Sequence, residues 1–168
     1  MKAFVFGKFL PFHLGHQRMI EFASRQCQQL FVLVCCSQTE PVSCQIRTQW
    51  LTETFADQPQ IKIIPFLYSE QDLPNTSVSS DSVSRKWSEA FQQILPSVDA
   101  VITSEPYGEY VAKYMGIRHI AYNEARDQTP ISATEIRNDL SGNWNFLPLA
   151  VKKSFQQKIA ILGTESVG

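Results

Sequence analysis

Short apolar runs alternate with amphipathic stretches along most of this chain, which confines it to folds that interleave strands and helices. Residues 2–6 read as a strand, and residues 16–28 as a helix with Ile20 and Ala23 at helical spacing. Residues 30–34 predict a second strand, and 43–55 a second helix with Ile46, Trp50 and Leu51 on one side. Residues 61–65 predict a third strand. Residues 71–84 are polar and rich in serine around Pro74 and Asn75, and read as a loop. Val83, Trp87, Ala90, Phe91 and Ile94 then restore a helical period that Pro96 stops. Strand 100–103, helix 107–115 closed by Gly116 and strand 117–122 complete the series. The predicted class is α/β: a Rossmann-like parallel sheet with helices on both faces, binding ligands beyond the carboxyl ends of its strands.

Composition narrows what such a sheet serves. At 168 residues, 43% hydrophobic and 18% charged, the chain can bury a core of single-domain size. A net charge of −1 argues against a general nucleic-acid or membrane-surface binder. No signal-like start and no run of transmembrane length occurs, so the expectation is a cytoplasmic protein that neither binds nucleic acid nor enters a membrane. A homo-oligomer is compatible with the sequence. Cys27, Cys35, Cys36 and Cys44 form no Cys-x-x-Cys pair and are expected to be buried or half-buried reduced thiols.

Directly after the first strand comes Gly7-Lys8-Phe9-Leu10-Pro11-Phe12-His13-Leu14-Gly15-His16. Two histidines at a loop-to-helix junction lie where unpaired N–H groups and the helix dipole favour anions. Nucleotidyl transfer needs charge stabilised on phosphate oxygens, which positioned donors supply without a covalent intermediate. From spacing alone, one imidazole is equally readable as a surface residue and the other as a helix cap. The stretch resembles the Gly-x-Phe-x-Pro-x-His-x-Gly-His signature of nucleotidyltransferases related to class I aminoacyl-tRNA synthetases.

A second signal is Ile131-Ser132-Ala133-Thr134-Glu135-Ile136-Arg137. Ser132 and Glu135 form a capping box that predicts a helix start, and Arg137 offers a planar cationic fork suited to phosphate. An ordinary capped helix with an exposed arginine reads equally well. Ser-x-Thr-x-x-Arg also resembles the second signature of the same superfamily, in the expected order. With Thr103-Ser104-Glu105-Pro106-Tyr107-Gly108, Arg126 and Trp144-Asn145-Phe146-Leu147, the whole chain resembles the nicotinamide-mononucleotide adenylyltransferase domain of bacterial bifunctional adenylyltransferase/ribosylnicotinamide kinases.

That resemblance implies adenylyl transfer from ATP to nicotinamide mononucleotide, releasing NAD and pyrophosphate, with magnesium carried on the ATP phosphates and no protein metal cage. It implies His13 and His16 on the triphosphate, with Lys8 and Arg137 offsetting charge on the leaving pyrophosphate. Gly7, Phe9, Gly15, Ile131, Ser132 and Thr134 would complete the ATP site. Arg47, Trp50, Trp87, Ser104, Glu105, Tyr107, Gly108 and Arg126 would form the acceptor site. Several of these have plain structural readings: Trp50 and Trp87 as core, Arg47 as a solvated cation, Arg126 as a surface cation, and residues 105–108 as a turn and cap. His119 reads as structural, and Asn123 stands where an acidic residue is expected. Residues 1–150 would be the nucleotidyltransferase domain. Residues 151–168 would be a linker helix and the start of a kinase domain, with Gly163 and Gly168 as the glycines of a Walker A loop lacking its lysine, so no kinase activity is expected. A nucleotidyltransferase for another acceptor, such as nicotinate mononucleotide, and a non-catalytic NAD or ATP sensor are the competing readings.

Overall fold

The computed structural model describes residues 1–74, 81–122 and 131–156. Arg126, Asn123 and the expected kinase start lie outside the described residues. Five strands, β1 (Lys2–Gly7), β2 (Gln29–Cys36), β3 (Ile61–Leu67), β4 (Ala100–Thr103) and β5 (Arg118–Ala121), form one sheet in the order β3-β2-β1-β4-β5. Every described pairing is parallel. Between them run α1 (Leu14–Arg25), α2 (Cys44–Thr54), α3 (Asp81–Ile94) and α4 (Tyr107–Met115). After β5 come α5 (Ala133–Asn138), a short 3-10 turn and α6 (Leu149–Phe155).

Strand alternation sorts the core into two layers. Ala3 and Val5 of β1, with Leu30, Val32 and Val34 of β2, meet Ile20 of α1, Trp50 and Leu51 of α2, Ile136 of α5 and Val151 of α6. Phe4, Phe6, Phe31 and Leu33 face the other way, onto Trp87 and Phe91 of α3 and Val111 of α4. The winding reverses between β1 and β4, and a crevice is expected at that switch point.

Several boundaries moved for identifiable reasons. The first helix begins at Leu14, two residues early, because His13 caps it. β3 continues through Pro65 to Leu67, which is tolerated because β3 is an edge strand. Asp81 to Ser84 are helical, not loop: Ser84 and Ser88 lie on the buried face of α3, and the Ser88 hydroxyl donates to the Ser84 carbonyl at 2.7 Å. On α2 the buried face is Arg47, Trp50 and Leu51, while Ile46 is 41% exposed. The expected domain boundary at 150 falls inside α6, which packs on the sheet domain: Trp50 Nε1 donates to Ser154 Oγ at 2.7 Å. Reduced thiols were expected throughout, yet Cys36 and Cys44 form a disulfide; β2 runs on to Cys36 and the chain doubles back at once into α2, bringing the two sulfurs together. Cys27 and Cys35 are free. Among the described residues no helix is long and apolar enough to cross a membrane.

Candidate active site

Gly7 ends β1 and Thr103 ends β4, on either side of the switch point. A cavity of about 260 Å³ opens there, with Gly7, Lys8, His16, Trp87, Glu105 and Tyr107 in its wall. On the β1 side the wall is a tightly packed loop. Phe9 has φ 49°, a backbone region that a bulky side chain enters only when its surroundings over-determine it. Its ring is 1% exposed and held edge-on to Phe12 and His16. A Cβ on Gly7 would stand 3.3 Å from the Phe9 ring, so glycine lets that ring lie against the backbone.

His13 is the N-cap of α1: its Nδ1 accepts the Gly15 amide at 3.1 Å. That bond leaves the proton of the neutral ring on Nε2, as a donor. The His13 and His16 rings stack with centroids 3.7 Å apart. Burial pushes His13 down to about 4, and burial together with the neighbouring His13 takes His16 well below the usual imidazole value. The pair is therefore neutral at pH 7, offering N–H donors in place of charge. His16 Nδ1 is buried without a hydrogen-bond partner.

The second signature docks on the first. Both halves of the capping box form: the Ser132 amide donates to Glu135 Oε2 at 2.7 Å, and the Glu135 amide to Ser132 Oγ at 3.2 Å. Ile136 is fully buried in the cluster that contains Phe9 and Phe12, and Ile131 packs against it. Arg137 donates to the Leu10 carbonyl, and at 3.0 Å to Thr134 Oγ1, so one arginine ties α5 to the β1 loop.

The other wall differs from expectation. Gly108 has a packing role: a Cβ there would lie 2.2 Å from Thr103 Oγ1 and 2.5 Å from His119 Nε2, so glycine lets α4 close onto the strand ends. His119 is structural as read, sharing a 2.9 Å hydrogen bond with Thr103 Oγ1. Trp50 is 1% exposed on the opposite side of the sheet and does not line the cavity. Trp87 does line it, but is 3% exposed, donates to the Pro74 carbonyl at 2.9 Å, and packs on Phe66, Tyr68 and Phe91. Ser104 and Glu105 are exposed at the rim. Tyr107 is held against Phe6, and burial raises its phenol well above the usual range.

Arg47 also departs from its expected role. Its guanidinium is fully buried, donating Nη1 to the carbonyls of Lys8 (2.7 Å) and Cys35 (3.2 Å) and Nη2 to Glu40 Oε2 (2.5 Å). It braces the loop from behind. Glu40, which no motif marks, also stands 3.1 Å from Lys8 Nζ. Burial pulls the Lys8 ammonium down, but hydrogen bonds to Glu40 and Tyr68 outweigh it and the net shift is upward. Sequence reasoning missed Glu40 because it lies in an irregular turn, where no periodicity points inward.

Residues 4–139 match the cytidylyltransferase-like family. Over 98% of its length the chain is 28% identical to the trifunctional NAD biosynthesis/regulator protein NadR of Escherichia coli and 30% identical to that of Salmonella typhimurium, spanning 43% of each. Among solved structures, a NadR protein in complex with NR superposes with a TM-score of 0.63 at 22% identity, over 93% of this chain and 46% of that one. A putative nicotinate-nucleotide adenylyltransferase from Vibrio parahaemolyticus gives 0.57 at 18% identity, over 92% and 98%. A bifunctional NMN adenylyltransferase/ADP ribose pyrophosphatase from Francisella tularensis, complexed with AMP and a manganese ion, gives 0.56 at 15%, over 87% and 44%.

Proposed function

The chain belongs to the cytidylyltransferase-like family, and on that premise we propose that it transfers the adenylyl group of ATP to nicotinamide mononucleotide, forming NAD and pyrophosphate. The observation that carries this reading is the stacked, neutral His13–His16 pair at the switch point, with Arg137 of α5 docked on the same loop. The mononucleotide phosphate attacks the α-phosphorus in line, and the bond to pyrophosphate breaks. His16, donating from a ring in the cavity wall, stabilises charge growing on the α-phosphate, and His13 supports it. Lys8 and Arg137 offset charge on the leaving pyrophosphate; Ser132 and Thr134 lie towards the adenylate, with Gly7, Phe9, Gly15 and Ile131 shaping its seat.

Among the described residues no cluster of three His, Cys, Asp or Glu is placed to hold a metal. In this reading magnesium would bind through the nucleotide's own phosphate oxygens, where it would supply charge neutralisation. NAD and an ATP analogue accompany a NadR protein in one solved structure, which superposes here with a TM-score of 0.62 at 22% identity; in this reading they correspond to product and substrate.

For the acceptor, the rim supports an amide over an acid. The Glu105 carboxylate beside the cavity can accept from a carboxamide N–H and would repel a nicotinate carboxylate. Tyr107 and Trp87 wall the ring. The test is pyrophosphate release from ATP with nicotinamide and nicotinate mononucleotides in parallel. Faster turnover with the nicotinamide form is expected, whereas equal or reversed preference refutes the acceptor and silence with both refutes the reaction.

A further inference from the structure

We propose that Glu40 is a positioning residue for the phosphate loop: it holds the Lys8 ammonium and the Arg47 guanidinium together and thereby fixes where the loop grips the triphosphate. The inference rests on the adenylyl-transfer reading of the site. The Glu40 side chain is 6% exposed, and its two oxygens divide the work. Oε1 lies 3.1 Å from Lys8 Nζ, while Oε2 accepts from Arg47 Nη2 at 2.5 Å and from the Ser37 amide at 2.9 Å. Arg47 in turn donates to the Lys8 carbonyl at 2.7 Å. Lys8 is thus held at its ammonium by Glu40 and at its backbone by Glu40's partner, immediately before the left-handed Phe9.

A buried guanidinium stripped of its counter-ion is strongly destabilising, so this brace depends on the carboxylate opposite it. Glu70 also approaches Lys8, at 3.8 Å, but its side chain is 45% exposed and water screens it. The Glu40 turn is closed at its base by the Cys36–Cys44 disulfide, which limits how far the carboxylate can swing away.

The experiment is Glu40→Gln, which keeps the size and removes the charge, assayed by pyrophosphate release with each substrate varied in turn. KM for ATP is expected to rise roughly tenfold, the scale of one lost charge-assisted contact, while KM for the acceptor stays within about twofold. A merely structural role would lower the active fraction and leave both constants where they were. In a Lys8→Met background Glu40→Gln should change KM for ATP far less, and Glu40→Asp should restore part of the loss. Full independence of the two substitutions, or an unchanged KM for ATP, overturns the proposal. If Glu40→Gln does not fold, the double variant Glu40→Leu with Arg47→Leu replaces the buried pair by apolar groups and must show the same ATP defect. If the wild type binds ATP in calorimetry but transfers nothing, the adenylyl-transfer reading fails, and ATP dissociation constants of the same variants decide the positioning role. Absence of ATP binding by the wild type overturns both.

Discussion

The two walls of the cavity are built on opposite principles. On the β1 side nearly every group is fixed in advance: Phe9 is 1% and His13 6% exposed, Arg47 is fully buried, and Arg137 bridges two elements. On the β4 side the framework is as firm, with Thr103, Gly108 and His119 locked together, but the groups offered to a ligand, Ser104 and Glu105, sit exposed on a turn. The proposed phosphate end is thus part of the core, while the proposed acceptor end is a rim supported by it. Preorganised donors are what a transition state requires, whereas discrimination between acceptors needs only a few rim groups.

This contrast is open to attack. The largest effect is expected from His16→Ala, with turnover falling roughly 10²-fold or more in a pyrophosphate-release assay while folding, checked by circular dichroism, survives. A near-normal rate would remove the phosphate end's privileged position. The same wall should also govern acid stability. His13 titrates near 4 in the folded chain and at 6.5 when unfolded, so below pH 6.5 the unfolded state binds more protons. Stability is therefore full above pH 6.5 and declines as pH falls towards 4, by ~3 kcal/mol at most from this group. Urea unfolding at pH 7 and pH 4.5 measures the decline, and His13→Asn should reduce it while leaving the part that buried His16 contributes.

Next comes the disulfide. Opening Cys36–Cys44 with a dithiol, or by Cys44→Ser, should lower the urea-derived stability by about 2–3 kcal/mol, the chain-entropy value for so short a ring. Gly108→Ala tests the framework of the acceptor wall: its methyl group meets Thr103 and His119, and a loss of about 1–3 kcal/mol in thermal or chemical unfolding is expected. Glu105→Gln is the smallest, an approximately tenfold or lesser erosion of preference for the amide acceptor at unchanged kcat, worth about 1 kcal/mol at an exposed rim. If it costs as much as His16→Ala, the division of the cavity is wrong.

Much of this was legible in the chain itself. Periodicity located the elements, with β4 and α4 falling on their expected bounds, and both signatures landed at strand ends or a helix start. Boundaries failed where side chains override local pattern, as in α3, whose Ser84 reads as a loop residue yet lies on the buried face, its carbonyl accepting from Ser88. Gly108 reads as a ligand contact or as a packing glycine, because a strand-to-helix glycine serves either purpose. Its packing role became visible only through the closeness of Thr103 Oγ1 and His119 in the fold.

By itself, then, the sequence determined the α/β class, the order of its units and the placing of both signatures at element ends, since these depend on local periodicity and on short motifs contiguous in the chain. Tertiary structure alone decided that the two histidines are neutral, that Arg47 braces the loop from within, that Glu40 is its counter-ion and that Cys36 meets Cys44. Each of those depends on burial or on a partner brought from elsewhere by the fold, and neither desolvation nor a long-range ion pair is written in local sequence.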